Sequence, residues 1–272
     1  MKKKIKDYWE TRLPQTWYSA KTPFTRAWLD ELRFKRYVVF YPFLEKEGEF
    51  RNHYDEKVLE VGCGIGTDIA EFGKYGADIT AVDLTKEAVL NTLKMLNLYK
   101  IPCTRTDVRI ADAEKLPFEK DTFDFIYSFG VLHHTPDTKA AVYEIKRVLK
   151  PGKTAVIFLY NRGLEYWRNV LKNYVFNGEF LRMTLQESLN LHSEVKGNCL
   201  LAKYYNRQEI EDLFKHFEIL KLRRVRMGYV LDSFYNLDGS YKQGLSLLMV
   251  KLAAMLDIGS YLGDLWEIKV LK

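Results

Sequence analysis

Residues 57–68 read Lys-Val-Leu-Glu-Val-Gly-Cys-Gly-Ile-Gly-Thr-Asp and bring Glu60, Gly62, Cys63, Gly64 and Gly66 into one short stretch. Glycines at this spacing let the chain turn sharply and let its backbone approach a ligand. Ile69, Ala70 and Phe72 follow at helical spacing, so the loop ends at the unpaired N–H groups of a helix N-terminus, where a carboxylate or phosphate is favoured. Asp83 closes a second apolar run, residues 77–84, and a carboxylate at such a strand end can accept both hydroxyls of a ribose. His133 and His134 stand after Ser128-Phe-Gly-Val131. An imidazole that titrates near neutrality can take a proton from a hydroxyl or an activated carbon acid. The alternative for the same pair, just before Thr135-Pro-Asp137, is to orient the loop or cap the next helix.

Strand and helix patterns alternate around these residues. Strands are predicted near 57–61, 78–83, 104–109, 122–128 and 153–160, and helices near 67–75, 86–97 and 137–149. Such alternation implies an α/β fold with a parallel sheet covered by helices on both faces. Ligands of these sheets bind beyond the carboxyl ends of the strands, so the loops after the first four strands are the expected site. The Gly62-x-Gly64-x-Gly66 spacing departs from the G-x-G-x-x-G turn of dinucleotide dehydrogenases.

Val58-Leu-Glu-Val-Gly-Cys-Gly-Ile-Gly-Thr67 resembles motif I of class I S-adenosylmethionine-dependent methyltransferases. Ala111-Asp-Ala-Glu-Lys-Leu-Pro-Phe118, Phe123-Asp-Phe-Ile-Tyr-Ser-Phe-Gly-Val-Leu-His-His134 and Leu149-Lys-Pro-Gly-Lys153 resemble, in order and spacing, the type 11 subgroup that includes ubiquinone and menaquinone biosynthesis methyltransferases. The resemblance implies a Rossmann-like sheet of seven mostly parallel strands, the seventh antiparallel. It also implies S-adenosyl-L-methionine as cofactor and S-adenosyl-L-homocysteine as product. By the same resemblance Glu60, Gly62 and Gly64 surround the methionine part, Asp83 binds the ribose, Leu84 flanks the adenine, Asp112 and Ala113 meet the adenine edge, and Cys63 and Ser128 border the cofactor.

The flanks suggest one domain over 1–272: a helical N-terminal cap (1–54), a cofactor-binding core (55–160), a lid-like insertion (161–205) and the rest of the sheet (206–272) with an insertion at 226–262. The cap is rich in aromatics, and Tyr8, Trp9, Trp17 and Tyr18, with Tyr160 and Trp167, are acceptor-pocket candidates. Ordinary core packing is the competing role for each. Leu164, Trp167, Val170, Leu171, Tyr174 and Val175 share one helical stripe, which packs, covers an acceptor or touches a membrane surface. Together with residues 8–24, residues 163–176 are expected to close over a bound acceptor. Asn206-Arg-Gln-Glu209 is a capping box opening a helix. A strand at 217–225, a helix at 243–256 and a strand at 265–271 follow.

Composition narrows the function classes. With 42 basic residues against 36 acidic, the formal charge is a modest +6. The dense basic cluster Lys221, Arg223, Arg224 and Arg226 leaves RNA methylation as an alternative, and a cofactor-binding scaffold without turnover is another. Ser128-Phe-Gly-Val131 is unlike the Asn/Asp-Pro-Pro-aromatic tetrapeptide of base-amine methylases. Cys63, Cys103 and Cys199 form no metal spacing and no even-numbered disulfide set, which fits a reducing, cytoplasmic compartment. No apolar run is long enough to span a bilayer. The expected acceptor is a small or lipid-like molecule rather than nucleic acid, with peripheral membrane contact left open.

Overall fold

The computed structural model describes residues 1–12, 15–192, 199–225 and 264–272. The chain begins with helix α1 (Lys2–Thr11), then α2 (Arg26–Phe34), which widens into a π turn over Lys35–Phe40, and the short α3 (Leu44–Glu47). Strand β1 (Lys57–Val61), α4 (Thr67–Lys74), β2 (Asp78–Asp83), α5 (Lys86–Leu98) and β3 (Thr106–Ile110) form the first half of the α/β unit. Strand β4 (Phe123–Phe129), α6 (Thr138–Val148) and β5 (Leu149–Tyr160) continue it. Helix α7 (Leu164–Asn169) again widens into a π turn, Val170–Phe176, and is followed by α8 (Leu185–His192), α9 (Arg207–Leu213), β6 (Glu218–Val225) and β7 (Leu265–Leu271).

The seven strands lie in the order β3-β2-β1-β4-β5-β7-β6. All pairs from β3 to β5 are parallel, while β7 runs antiparallel to both β5 and β6. Strand order therefore reverses beside β1, and the ends of β1 and β4 open the crevice in which such sheets bind ligands. β1 reads apolar almost throughout because both faces are covered. On one face Val58 packs with Phe72 and Phe125, and on the other Leu59 and Val61 pack with Ile126 and Ile145.

The N-terminal helices bind to this sheet through charge as well as apolar area. Arg33 and Arg36 are three residues apart on α2 and its π extension, and Asp68 and Glu71 are three apart on α4, so two ion pairs form side by side. Arg33 chelates Glu71 at 2.6 and 3.1 Å. Arg36 chelates Asp68 with almost no exposure of either side chain, its Nε 2.7 Å from Oδ1. Tyr37 and Tyr127 donate to the two Asp68 oxygens at 2.7 and 3.0 Å. Burial of an ion pair is tolerated only with such full hydrogen bonding.

Several element bounds differ from those the sequence suggests. β5 begins at Leu149 rather than near 153, because Gly152 adopts φ +73 and lets the chain pass Pro151 without leaving the sheet. β3 starts later, at Thr106, after a 3-10 turn. The apolar stripe in 163–176 is split between buried and exposed residues. Val170 is buried together with Tyr166 and Asn173, whereas Leu164, Trp167, Leu171 and Val175 are exposed. The change from α to π winding at Val170 rotates the later side chains relative to a 3.6-residue repeat. The helix expected at 243–256 and the insertion at 226–262 lie outside the described residues.

Candidate active site

The loop after β1 is held by hydrogen bonds that spend its backbone on the neighbouring strand. Gly62 and Cys63 N–H groups both donate to Val82 O, at 2.7 and 3.1 Å. Gly62 has φ +83, and a Cβ there would meet Val131 at 2.2 Å, so no other residue fits. Gly66, at φ +80, opens α4.

Asp83 ties this loop to the next one. Its Oδ2 accepts from Gly64 N at 3.1 Å, and its Oδ1 from Thr85 N and Oγ1 at 3.0 and 2.8 Å. Burial raises its pKa, against these donors. A carboxylate offers about four acceptor positions, so capacity remains for a ligand hydroxyl. Leu84 beside it is half-buried.

Glu60 is almost fully buried, and its Oε2 has no hydrogen-bond partner among the described residues. Burial holds its carboxyl well above the usual carboxylate range, and the Asp68 charge pushes in the same direction. A buried, unsatisfied carboxylate oxygen is costly, and a cationic ligand would relieve the cost.

The N-terminal helix crosses the same strand ends. Lys2 Nζ bridges Asp112 and Glu114 at 2.5 and 2.6 Å, and the Asp112 Oδ1 accepts from Glu114 N. Ala113, between them, is half-buried. At the other end of α1, the Glu10 oxygens accept from Lys86 and Glu87 N at 3.2 Å each, a carboxylate on the positive end of α5. Lys2 and Glu10 were invisible to sequence reasoning, since neither belongs to a motif.

The histidine pair lies at the end of β4 and is buried. His134 donates from Nδ1 to Leu201 O at 2.6 Å and meets Trp9 edge-on at 5.1 Å between ring centres. His133 is fully buried and stacks on Tyr160 at 3.7 Å, and neither ring nitrogen has a partner among the described residues. Burial drives its pKa well below the usual value, so the ring is neutral near pH 7. Tyr204 stacks on the far side of Tyr160 at 5.2 Å, and Tyr166 of α7 packs on Tyr204 at 5.3 Å.

Other candidates stand elsewhere. Ser128 is fully buried and donates to Val61 O at 2.9 Å, joining β4 to β1. Cys63 is buried, accepts from Thr92 Oγ1 and has its thiol pKa pushed up by burial. Tyr18 is a core residue packed on Phe40. Tyr8 lies edge-on to Trp9 beneath Arg12. Trp167 is 54% exposed and directed outward, because it falls on the outer side of α7. The Trp17 side chain lies outside the described residues.

Two members of the basic cluster of β6 are paired internally. Lys221 and Arg223 both pair with Glu47 and Glu267, and Arg224 lies over the Trp266 ring. Arg226 lies outside the described residues.

Known proteins share this architecture. Residues 59–157 match the family model described as a methyltransferase domain. A sterol 4-C-methyltransferase of Caenorhabditis elegans is 30% identical over 139 residues, 51% of this chain and 41% of that protein. A ubiquinone biosynthesis O-methyltransferase of Idiomarina loihiensis is 32% identical over 126 residues, 44% of this chain and 50% of that one. The chain thus spans about half or less of these relatives. The fold extends further: geranyl diphosphate C-methyltransferase from Streptomyces coelicolor A3(2), solved with Mg2+, geranyl diphosphate and S-adenosyl-L-homocysteine, superposes with TM-score 0.62 at 13% identity, over 99% of this chain and 97% of that one. Residues 59–157 thus resemble a methyltransferase domain, and the chain has the fold of class I S-adenosylmethionine-dependent methyltransferases.

Proposed function

We propose that the protein transfers a methyl group from S-adenosyl-L-methionine to a small or lipid-like acceptor, acting as one domain with residues 1–54 as its cap. The observation that carries this is the unsatisfied Glu60 oxygen behind a glycine loop whose Gly64 amide is fixed by Asp83. A buried carboxyl group with one oxygen unpaired, beside a carboxylate suited to a ribose, fits a cofactor bearing an ammonium, a sulfonium and a nucleoside. When bound, the cofactor supplies an activated methyl group, and the protein then has mainly to hold the acceptor in line and keep water out.

Glu60 and the loop Gly62–Gly64 hold the methionine end, Asp83 the ribose, and Leu84 with Asp112 and Ala113 the adenine. Lys2 neutralises Asp112 and closes α1 over this end. The neutral His133 is the acceptor-side group, able to receive a hydrogen bond or proton from the acceptor. His134 is held by Leu201 O and Trp9, which makes it the orienting member of the pair. Sterol and ubiquinone-pathway relatives support a lipid-like acceptor, and internal pairing of the β6 cluster disfavours RNA. Among the described residues no helix is long and apolar enough to cross a membrane, and a cytoplasmic location is proposed.

Calorimetry with S-adenosylmethionine tests the cofactor assignment. Asp83→Ala should weaken binding by about 1.5–3 kcal/mol, the worth of a hydrogen bond to a charged group. Unchanged affinity in a folded variant would remove Asp83 from the ribose site. A metabolite screen with methyl-labelled cofactor then identifies the acceptor.

A further inference from the structure

Large apolar side chains over 164–181 are exposed among the described residues. Trp167, Leu171 and Val175 are 54%, 49% and 43% exposed, and Phe176, Phe180 and Leu181 are 80%, 53% and 76% exposed. Contiguous apolar surface of this kind marks an interaction site. Over 164–182 the charged residues are Glu165, Arg168, Lys172, Glu179 and Arg182, and Lys172 and Arg182 are exposed. The nearby acid Glu179 turns inward to His192 at 2.9 Å.

The inner side of the same segment reaches the acceptor end of the site. Tyr166 packs on Tyr204, Tyr204 on Tyr160 and Tyr160 on His133. The outer apolar face is therefore separated from His133 by one chain of stacked rings.

We propose that this face rests on an anionic lipid surface, so that a membrane-dissolved acceptor reaches the His133 end of the site directly from the bilayer. The delivery role rests on the methyltransferase function proposed above. A helix with bulky apolar and aromatic residues on one side and a cationic fringe lies in the plane of the interface, with hydrocarbon below and anionic headgroups beside its Lys and Arg. Self-association fits less well, because a two-fold contact lays the same patch on itself and sets its cations against one another.

The test is sedimentation of the full chain with vesicles of phosphatidylcholine alone or mixed with phosphatidylglycerol. The expected result is binding to the mixed vesicles at least about tenfold tighter than to phosphatidylcholine. Phe176→Glu with Leu181→Glu should lower it by at least about tenfold with an unchanged melting temperature, since both side chains are exposed. Lys172→Glu with Arg182→Glu should remove the preference for anionic lipid. Iodide should quench Trp167 in the free protein, read as the difference from Trp167→Phe, and vesicles should protect it. Equal sedimentation of wild type and Phe176→Glu/Leu181→Glu overturns the proposal. So does Trp167 shielded without lipid, or a dimer that the same double variant dissociates. Calorimetry on the same preparation separates the two ideas: cofactor binding without vesicle binding overturns the lipid surface alone, and vesicle binding without cofactor binding overturns the methyltransferase function and the delivery role with it.

Discussion

Replacing Arg36 by Met tests how the cap is fastened to the cofactor half of the sheet. The substitution keeps volume but leaves Asp68 buried, with only the Tyr37 and Tyr127 hydroxyls among the described side chains donating to it. Breaking a buried pair from one side costs about 3–5 kcal/mol. For a chain of this size a loss of 1 kcal/mol lowers the melting temperature by about 2–4 °C, so Arg36→Met should melt roughly 10 °C lower. The double variant Arg36→Met, Asp68→Leu removes both charges. It strands the two tyrosine hydroxyls instead, at about 1–3 kcal/mol each, although Tyr37 keeps a contact to Thr67 O at 3.3 Å.

The double variant should therefore be no less stable than Arg36→Met alone, and the thermodynamic cycle should give a coupling of at least about 2 kcal/mol, within the range for residues in one network. Urea unfolding of the four proteins measures it. Additive effects, or a loss below about 1 kcal/mol for Arg36→Met, would refute the assignment of the pair as a fastening of the cap.

Glu60 should make cofactor binding depend on pH. Its carboxyl is raised in the free protein by burial, and a cationic ligand favours its ionised form, so binding should release a proton and strengthen as pH rises toward that raised pKa; calorimetry in buffers of different ionisation enthalpy should show the release in wild type and none in Glu60→Gln. His133 acts on stability with the opposite charge type. Its folded pKa is depressed by burial, so below the unfolded value of about 6.5 the unfolded chain takes up a proton that the folded one refuses, and stability falls with pH by up to about 1.4 kcal/mol per unit; denaturant unfolding of His133→Phe should lack this component. Lys2→Ala should loosen α1 and speed amide exchange over residues 2–11, while an unchanged exchange rate would mean that Glu10 and the apolar contacts alone hold the helix.

The strands, their parallel order and the glycine loop were legible because each depends on local pattern: an apolar run, a turn that needs positive φ, a helix start. The two ion-pair ladders had a faint signal in the matched three-residue spacing of Arg33 and Arg36 against Asp68 and Glu71. Which helices would face each other was not in that spacing. Ser128 shows the converse limit. Its place at a strand end suggested a ligand contact, yet in a sheet buried on both faces a hydroxyl must find a partner, and Val61 O is within reach.

The stripe at 163–176 marks where periodicity stops being informative. Apolar residues at i, i+3 and i+7 say only that one side of a helix avoids water, and a protein core and lipid hydrocarbon satisfy that equally. What separates them is the other side of the helix. Here the inward side carries Asn169 and Asn173, both buried, beside Tyr166 and Val170, while the bulkier apolar residues Trp167, Leu171 and Phe176 point out. A helix that buries amides and exposes its largest apolar side chains gains little by folding alone. Its outer face lowers its free energy only when something apolar covers it, and it lies one aromatic chain away from the residue that would face the acceptor.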